Sequence, residues 1–244
     1  MLFDLDEHIR MMDEAGIDVA FLTSAAGMCA DLDKSRLCNE SAKKAERDYP
    51  GRFIGAAHAN PLGGADAFRE LARCKHELGF PGVVITSETN GLYLDATEFE
   101  PFWTECAKLG LFVFIHPALK LNQTRQFDGY DTARSVGREF SLVMATIRLI
   151  NAGVFDRHPR LTVHMSHLGG GIAAAGGDIA HGRKAQALQG NGLGCHHPFF
   201  AELIDNKQGL ASRALEGEAL DPSSQDSVQL AALVDVLTRA LDAR

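Results

Sequence analysis

Two histidines stand where a side chain can do chemistry. His116 closes the apolar run FVFIHP, and His167 follows LTVHMS, one residue short of Gly169, Gly170 and Gly171. Pro117 has no N–H to donate, so it ends any ladder that the first run joins. A residue so placed lies at the C-terminal rim of its strand, and in parallel α/β folds the loops leaving that rim build the pocket. The glycines lack side chains and let a ligand or another backbone approach closely. Neighbouring strands lie about 4.8 Å apart, so imidazoles at the ends of consecutive strands can meet on one ion or water. A metal there would lower the pKa of a bound water toward ~7, and a neutral imidazole would accept its proton. His164 lies three residues before His167, an odd offset that alternation sends to the opposite face. The expectation is that His167 faces the pocket and His164 packs against the flanking helices.

Three weaker candidates for contact with a substrate are His58 near the end of FIGAAHANP, Glu88 after GVVIT, and His181 after the glycine run. Each also has a plain structural reading: a satisfied core histidine, a surface acid and a solvated helix face. Cys195, His196 and His197 have ligand chemistry, but adjacent loop residues rarely all face one ion. The sequence contains no P-loop, no GxGxxG opening a helix after a strand and no GxSxG elbow, so nucleotide and serine-hydrolase chemistry lose support.

The elements that must position these residues alternate in a regular beat. Leu5, Ile9 and Met12 recur at helical spacing up to Gly16, and Asp18 to Leu22 then reads as a short buried strand. A polar helix over 35–48 stops near Pro50 and Gly51, and FIGAAHANP follows as a strand. A helix from about Ala65 to Leu78 leads to the β-branched strand Gly82 to Thr86, and one from about Glu98 to Leu109 leads to LFVFIHP. A polar connection over 118–133 precedes an amphipathic helix ending at Gly153, and Leu161 to Met165 reads as the fifth strand. Strands separated by helices at this interval call for parallel βαβ units, in an open doubly wound sheet or a barrel. A complete (β/α) barrel has eight strands, and five are evident here. After about Gly171 the pattern degrades, until SVQLAALVDVLTRALDAR reads as a C-terminal amphipathic helix.

The chain has 244 residues, 45% hydrophobic and 23% charged, a balance that excludes disorder and fibrous structure. A net charge of -8 without a basic block argues against nucleic acid and for a small-molecule substrate. No run approaches the roughly 20 apolar residues of a membrane span, and the acidic start MLFDLDEHIR does not read as a signal peptide. A cytoplasmic location is expected. Five cysteines without CxxC spacing read as reduced thiols.

The succession MDEAGIDVAFLTSA, RFIGAAHANP, GLFVFIHP and AGVFDRHPRLTVHMSHLGGG resembles the amidohydrolase-related metal enzymes of the aminocarboxymuconate-semialdehyde decarboxylase type. The likeness runs over about residues 4–185 and is most specific from Asn151 to Gly171. It implies a distorted TIM-barrel-like (β/α) fold, a divalent metal that is often zinc, and decarboxylation, hydration or hydrolysis of small, frequently aromatic-derived acids. By position it implies that His116 is a metal ligand and that His167 acts beside the metal as a base or second ligand. The HxH pair of the family's first strand and the Asp of its last strand find no match here. Where many members carry an Arg for a substrate carboxylate, this chain reads GDIAHG with Asp178. The expectation is therefore an incomplete barrel over 1–185, lacking strand one and the last strands, with a diverged segment over 186–244. A carboxy-lyase stands first among activities, a hydrolase or hydratase second, and a catalytically inactive truncated paralogue is the alternative to both. Exposed sheet edges are prone to pair, so a homodimer is also expected.

Overall fold

The computed structural model describes residues 4–118 and 127–172. The expected C-terminal helix, His181, the 195–197 cluster and Asp178 fall outside them. Residues up to Gly170 belong to one compact unit.

The five expected strands form one parallel sheet. In chain order β1 is Ala20–Leu22, β2 Phe53–His58, β3 Gly82–Thr86, β6 Phe112–His116 and β7 Val163–Met165, and they neighbour one another in that order. Between β3 and β6 the chain makes a small antiparallel hairpin, β4 (Glu88–Thr89) and β5 (Leu92–Tyr93), which the sequence pattern did not disclose. Two residues per strand are too few for a period to register. The helices are α1 (Leu5–Glu14), α2 (Leu32–Asp48), α3 (Gly64–His76), α4 (Glu100–Leu109), α5 (Arg138–Asn151) and the single turn α6 (Val154–Arg157). Local chemistry sets their ends. Asp4 and Asp31 cap α1 and α2 by accepting from the amides of Glu7 and Lys34 at 3.1 and 2.9 Å. Gly110 stops α4 in the left-handed conformation. Among the described residues no helix is long and apolar enough to cross a membrane.

Alternation gives the sheet two different faces. Val83, Ile85, Val113 and Ile115 are fully buried on one face, and Phe53 shares that side in a cluster with Met12 of α1 and Ala45 of α2. The other face carries Phe21, Phe112, Phe114, His116 and His164, and it is concave. On a flat sheet β1 and β6, three strands apart, would be separated by about 14 Å. Yet the Phe21 ring lies 5.3 Å from that of Phe112 and 5.9 Å from that of Phe114. Only a curled sheet brings them together, as expected of part of a barrel. Gly82 makes this possible, since a Cβ there would sit 2.6 Å from the Phe112 ring.

One orientation differs from the alternation argument. His164 is the register partner of Phe114 and stacks on it at 5.0 Å with planes 16° apart, so it lies on the concave face with His116 and not against the helices. Opposite facing of His164 and His167 requires a strand that runs through His167. The strand ends at Met165, and the turn that follows sets the direction of His167 on its own terms.

Candidate active site

His116 is the last residue of β6 and pairs in register with Thr86, the last of β3. Its Nδ1 lies 2.8 Å from the carbonyl oxygen of Pro117. A carbonyl can only accept, so Nδ1 carries the proton and Nε2 keeps its lone pair. The backbone after the ring is held by Ser87. The Ser87 amide donates to the His116 carbonyl at 2.8 Å, and the Ala118 amide donates to Ser87 Oγ at 2.9 Å. Ser87 Oγ in turn donates to Ser141 Oγ at 3.0 Å, and Ser141 Oγ to the Arg138 carbonyl at 2.8 Å. Each hydroxyl gives one hydrogen bond and takes one, so a directed chain ties the segment after His116 to the first turn of α5.

His167 opens a single 3-10 turn, His167–Gly169, with φ at +50°, a left-handed conformation uncommon outside glycine. Gly170 follows at φ +63°, and a Cβ on it would lie 2.2 Å from the Glu139 carbonyl oxygen. The turn therefore rests on the backbone of the first turn of α5. Glu139 reaches back from there, its Oε1 2.6 Å from His167 Nδ1. In the neutral ring a carboxylate on Nδ1 again leaves the lone pair on Nε2. The two imidazole centroids are 6.4 Å apart, their planes crossing at 76°. With 41% of its side chain exposed, His167 is open to an incoming molecule, and His116 is half-buried. The Ser166 hydroxyl beside it in the chain is buried without a hydrogen-bond partner among the described residues.

Both Nε2 atoms have the donor chemistry of a divalent-metal ligand, with Nδ1 fixed in the manner usual for ligating histidines. They are not a full set. Catalytic sites normally supply three protein ligands, and among the described residues no group of three His, Cys, Asp or Glu is arranged to hold an ion.

Two of the weaker candidates, His58 and Glu88, fall on described residues. His58 is 1% exposed at the end of β2. Its Nε2 accepts from the Ser24 amide at 2.9 Å, and its Nδ1 faces Asn39 Oδ1 at 3.3 Å. Both nitrogens are thus engaged by the protein, and burial lowers the pKa to about 4. Asn39 also donates to the buried Glu70 carboxylate at 2.8 Å. Burial alone would raise that acid, but hydrogen bonds from Arg73, Asn39 and Arg36 outweigh it and hold the pKa below the usual value. His58 is part of this structural network joining α2, α3 and β2. Glu88 is half-buried at the start of the hairpin, where its carbonyl accepts from the Thr86 hydroxyl at 2.5 Å. The residues that the sequence reading missed are Glu139, Ser87 and Ser141. An acid in the first turn of an amphipathic helix carries no mark of the histidine it will meet 28 positions later.

Comparison with known proteins bears on this geometry. The amidohydrolase family model matches residues 4–205. The chain is 32% identical over 191 residues to a 2-amino-3-carboxymuconate-6-semialdehyde decarboxylase of Dictyostelium discoideum, covering 75% of this chain and 53% of that protein. It is 33% identical over 184 residues to the gamma-resorcylate decarboxylase of a Rhizobium species, covering 68% of this chain and 56% of the relative. The chain thus spans about half the length of the curated relatives it matches. Among solved structures, 5-carboxyvanillate decarboxylase from Novosphingobium aromaticivorans superposes with a TM-score of 0.64 at 31% identity, over 73% of this chain and 53% of that one. That crystal holds manganese and 4-hydroxy-3-methoxy-5-nitrobenzoic acid. The metal there is manganese, so zinc, expected from the sequence, gains no support from it.

Proposed function

The chain belongs to the amidohydrolase family, and from that premise we propose that it serves a metal-dependent decarboxylase acting on a small aromatic carboxylic acid. One observation carries the reading: two imidazoles at the C-terminal rim, each with Nδ1 engaged and Nε2 left as a lone pair. In this reading His116 is a metal ligand and His167 the proton-handling group. A divalent ion, when bound, supplies Lewis-acid polarisation and an acidified water. The described residues supply only part of its coordination. His167 takes up a proton from water at Nε2 and passes it to the ring carbon that bears the carboxylate. The carbon–carbon bond then breaks with its electron pair left on the ring, and carbon dioxide leaves. The names of the relatives support a carboxy-lyase ahead of a hydrolase or hydratase.

The test is the metal content of the full chain, loaded with manganese and then desalted, compared with a His116→Ala, His167→Ala double variant by elemental analysis. Carbon dioxide release from gamma-resorcylate and 5-carboxyvanillate is measured on the same samples. Near-stoichiometric metal and carbon dioxide release, both lost in the variant, are expected. A native chain that holds no metal and releases no carbon dioxide would overturn the reading in favour of an inactive paralogue.

A further inference from the structure

The first turn of α5 touches both histidine loops. Through Ser141 and Ser87 it holds the segment after His116, and through Glu139 it reaches His167. We propose that Glu139 is the positioning residue that fixes His167 in its Nδ1–H form, so that the Nε2 lone pair faces away from α5 beside the His116 ring. The inference rests on the decarboxylase reading for its purpose, since only a proton-handling His167 needs one defined tautomer.

An imidazole in contact with water alone exchanges between its two neutral forms, and only one of them presents a lone pair at Nε2. A carboxylate on Nδ1 selects that form, and the 2.6 Å separation is that of a strong, charge-assisted hydrogen bond. Two exposed side chains that merely meet at a surface would hold one another weakly. Here the backbone holds them. Gly170 has no Cβ and so lies against the Glu139 carbonyl, while the left-handed φ of His167 turns its ring back toward the same helix turn. The contact follows from a close approach of two main chains. The carboxylate comes from a helix that the chain reaches well before His167, so the two loops are set by one rigid element.

The experiment uses the full chain labelled with 15N-histidine, with long-range proton–nitrogen spectra recorded at about pH 8.5, where an ordinary imidazole is neutral. A His167→Gln variant assigns the signal. The native ring is expected to show a protonated Nδ1 and an unprotonated Nε2. In Glu139→Ala the two nitrogen shifts should move toward each other as the tautomers mix. Glu139→Gln keeps an acceptor oxygen and should retain the native pattern. In the decarboxylation assay, Glu139→Ala should lower kcat about 10- to 100-fold with little change in KM, the usual cost of removing such a partner. An unchanged Nδ1–H signature in Glu139→Ala would overturn the proposal, whatever the activity. If the native chain releases no carbon dioxide but the tautomer follows Glu139, the decarboxylase reading fails and the positioning role stands.

Discussion

Lowering the pH from 7.5 to 4.5 should cost the native chain about 2.5 kcal/mol more than it costs a His58→Gln variant. The ring of His58 is buried between the Ser24 amide and Asn39, and burial lowers its pKa from 6.5 to about 4. The unfolded chain takes up that proton from about pH 6.5 downward, while the folded chain refuses it until about pH 4. The stability that His58 contributes is therefore complete above pH 6.5 and is lost as the pH falls toward 4. Each unit in that interval is worth about 1.4 kcal/mol. Glu70, in the same network, has a pKa held below the carboxylate value of 4.5, so its own loss begins at lower pH and leaves the window to His58. The assay is urea unfolding followed by circular dichroism at pH 7.5, 6.5, 5.5 and 4.5. The Gln variant, whose amide oxygen can still accept from Ser24, is expected to start less stable and to lose less on acidification. Equal losses in the two proteins would refute the account of His58 as a buried neutral ring.

Gly82→Ala should destabilise the fold by about 1–3 kcal/mol, because the new methyl meets the Phe112 ring where the curled sheet already presses it against Phe21. The urea midpoint measures this, and recovery in a Gly82→Ala, Phe112→Leu pair would locate the clash. Ser87→Ala leaves the buried Ala118 amide without its acceptor and cuts the link to Ser141, at a cost of about 1–3 kcal/mol. The same unfolding assay reads that loss, and an unchanged midpoint would count against the Ser87 chain as a support of the His116 loop.

The beat of helix, glycine and apolar run was legible in the sequence because local chemistry writes it. Caps such as Asp31, stops such as Gly110 and the β-branched run Gly82 to Thr86 each act within a few residues, and all five strands occur where the pattern put them. The placement of His116 at a rim was legible for the same reason, since Pro117 ends a ladder wherever it stands. Alternation does not extend from His164 to His167, because where a strand stops depends on its neighbour. The last pairing is that of Met165 with Ile115, and the left-handed turn at His167 then points the ring by a rule that has no period. The long-range supports of the two histidine loops were beyond any local signal. Glu139 meets His167 across 28 residues, and Ser87 meets Ser141 across 54, only because α5 packs its first turn against both loops. The sequence by itself determined that two histidines stand near the C-terminal ends of consecutive strands. The tertiary structure alone decided which nitrogen His167 presents, because that choice belongs to Glu139, the group opposite its Nδ1.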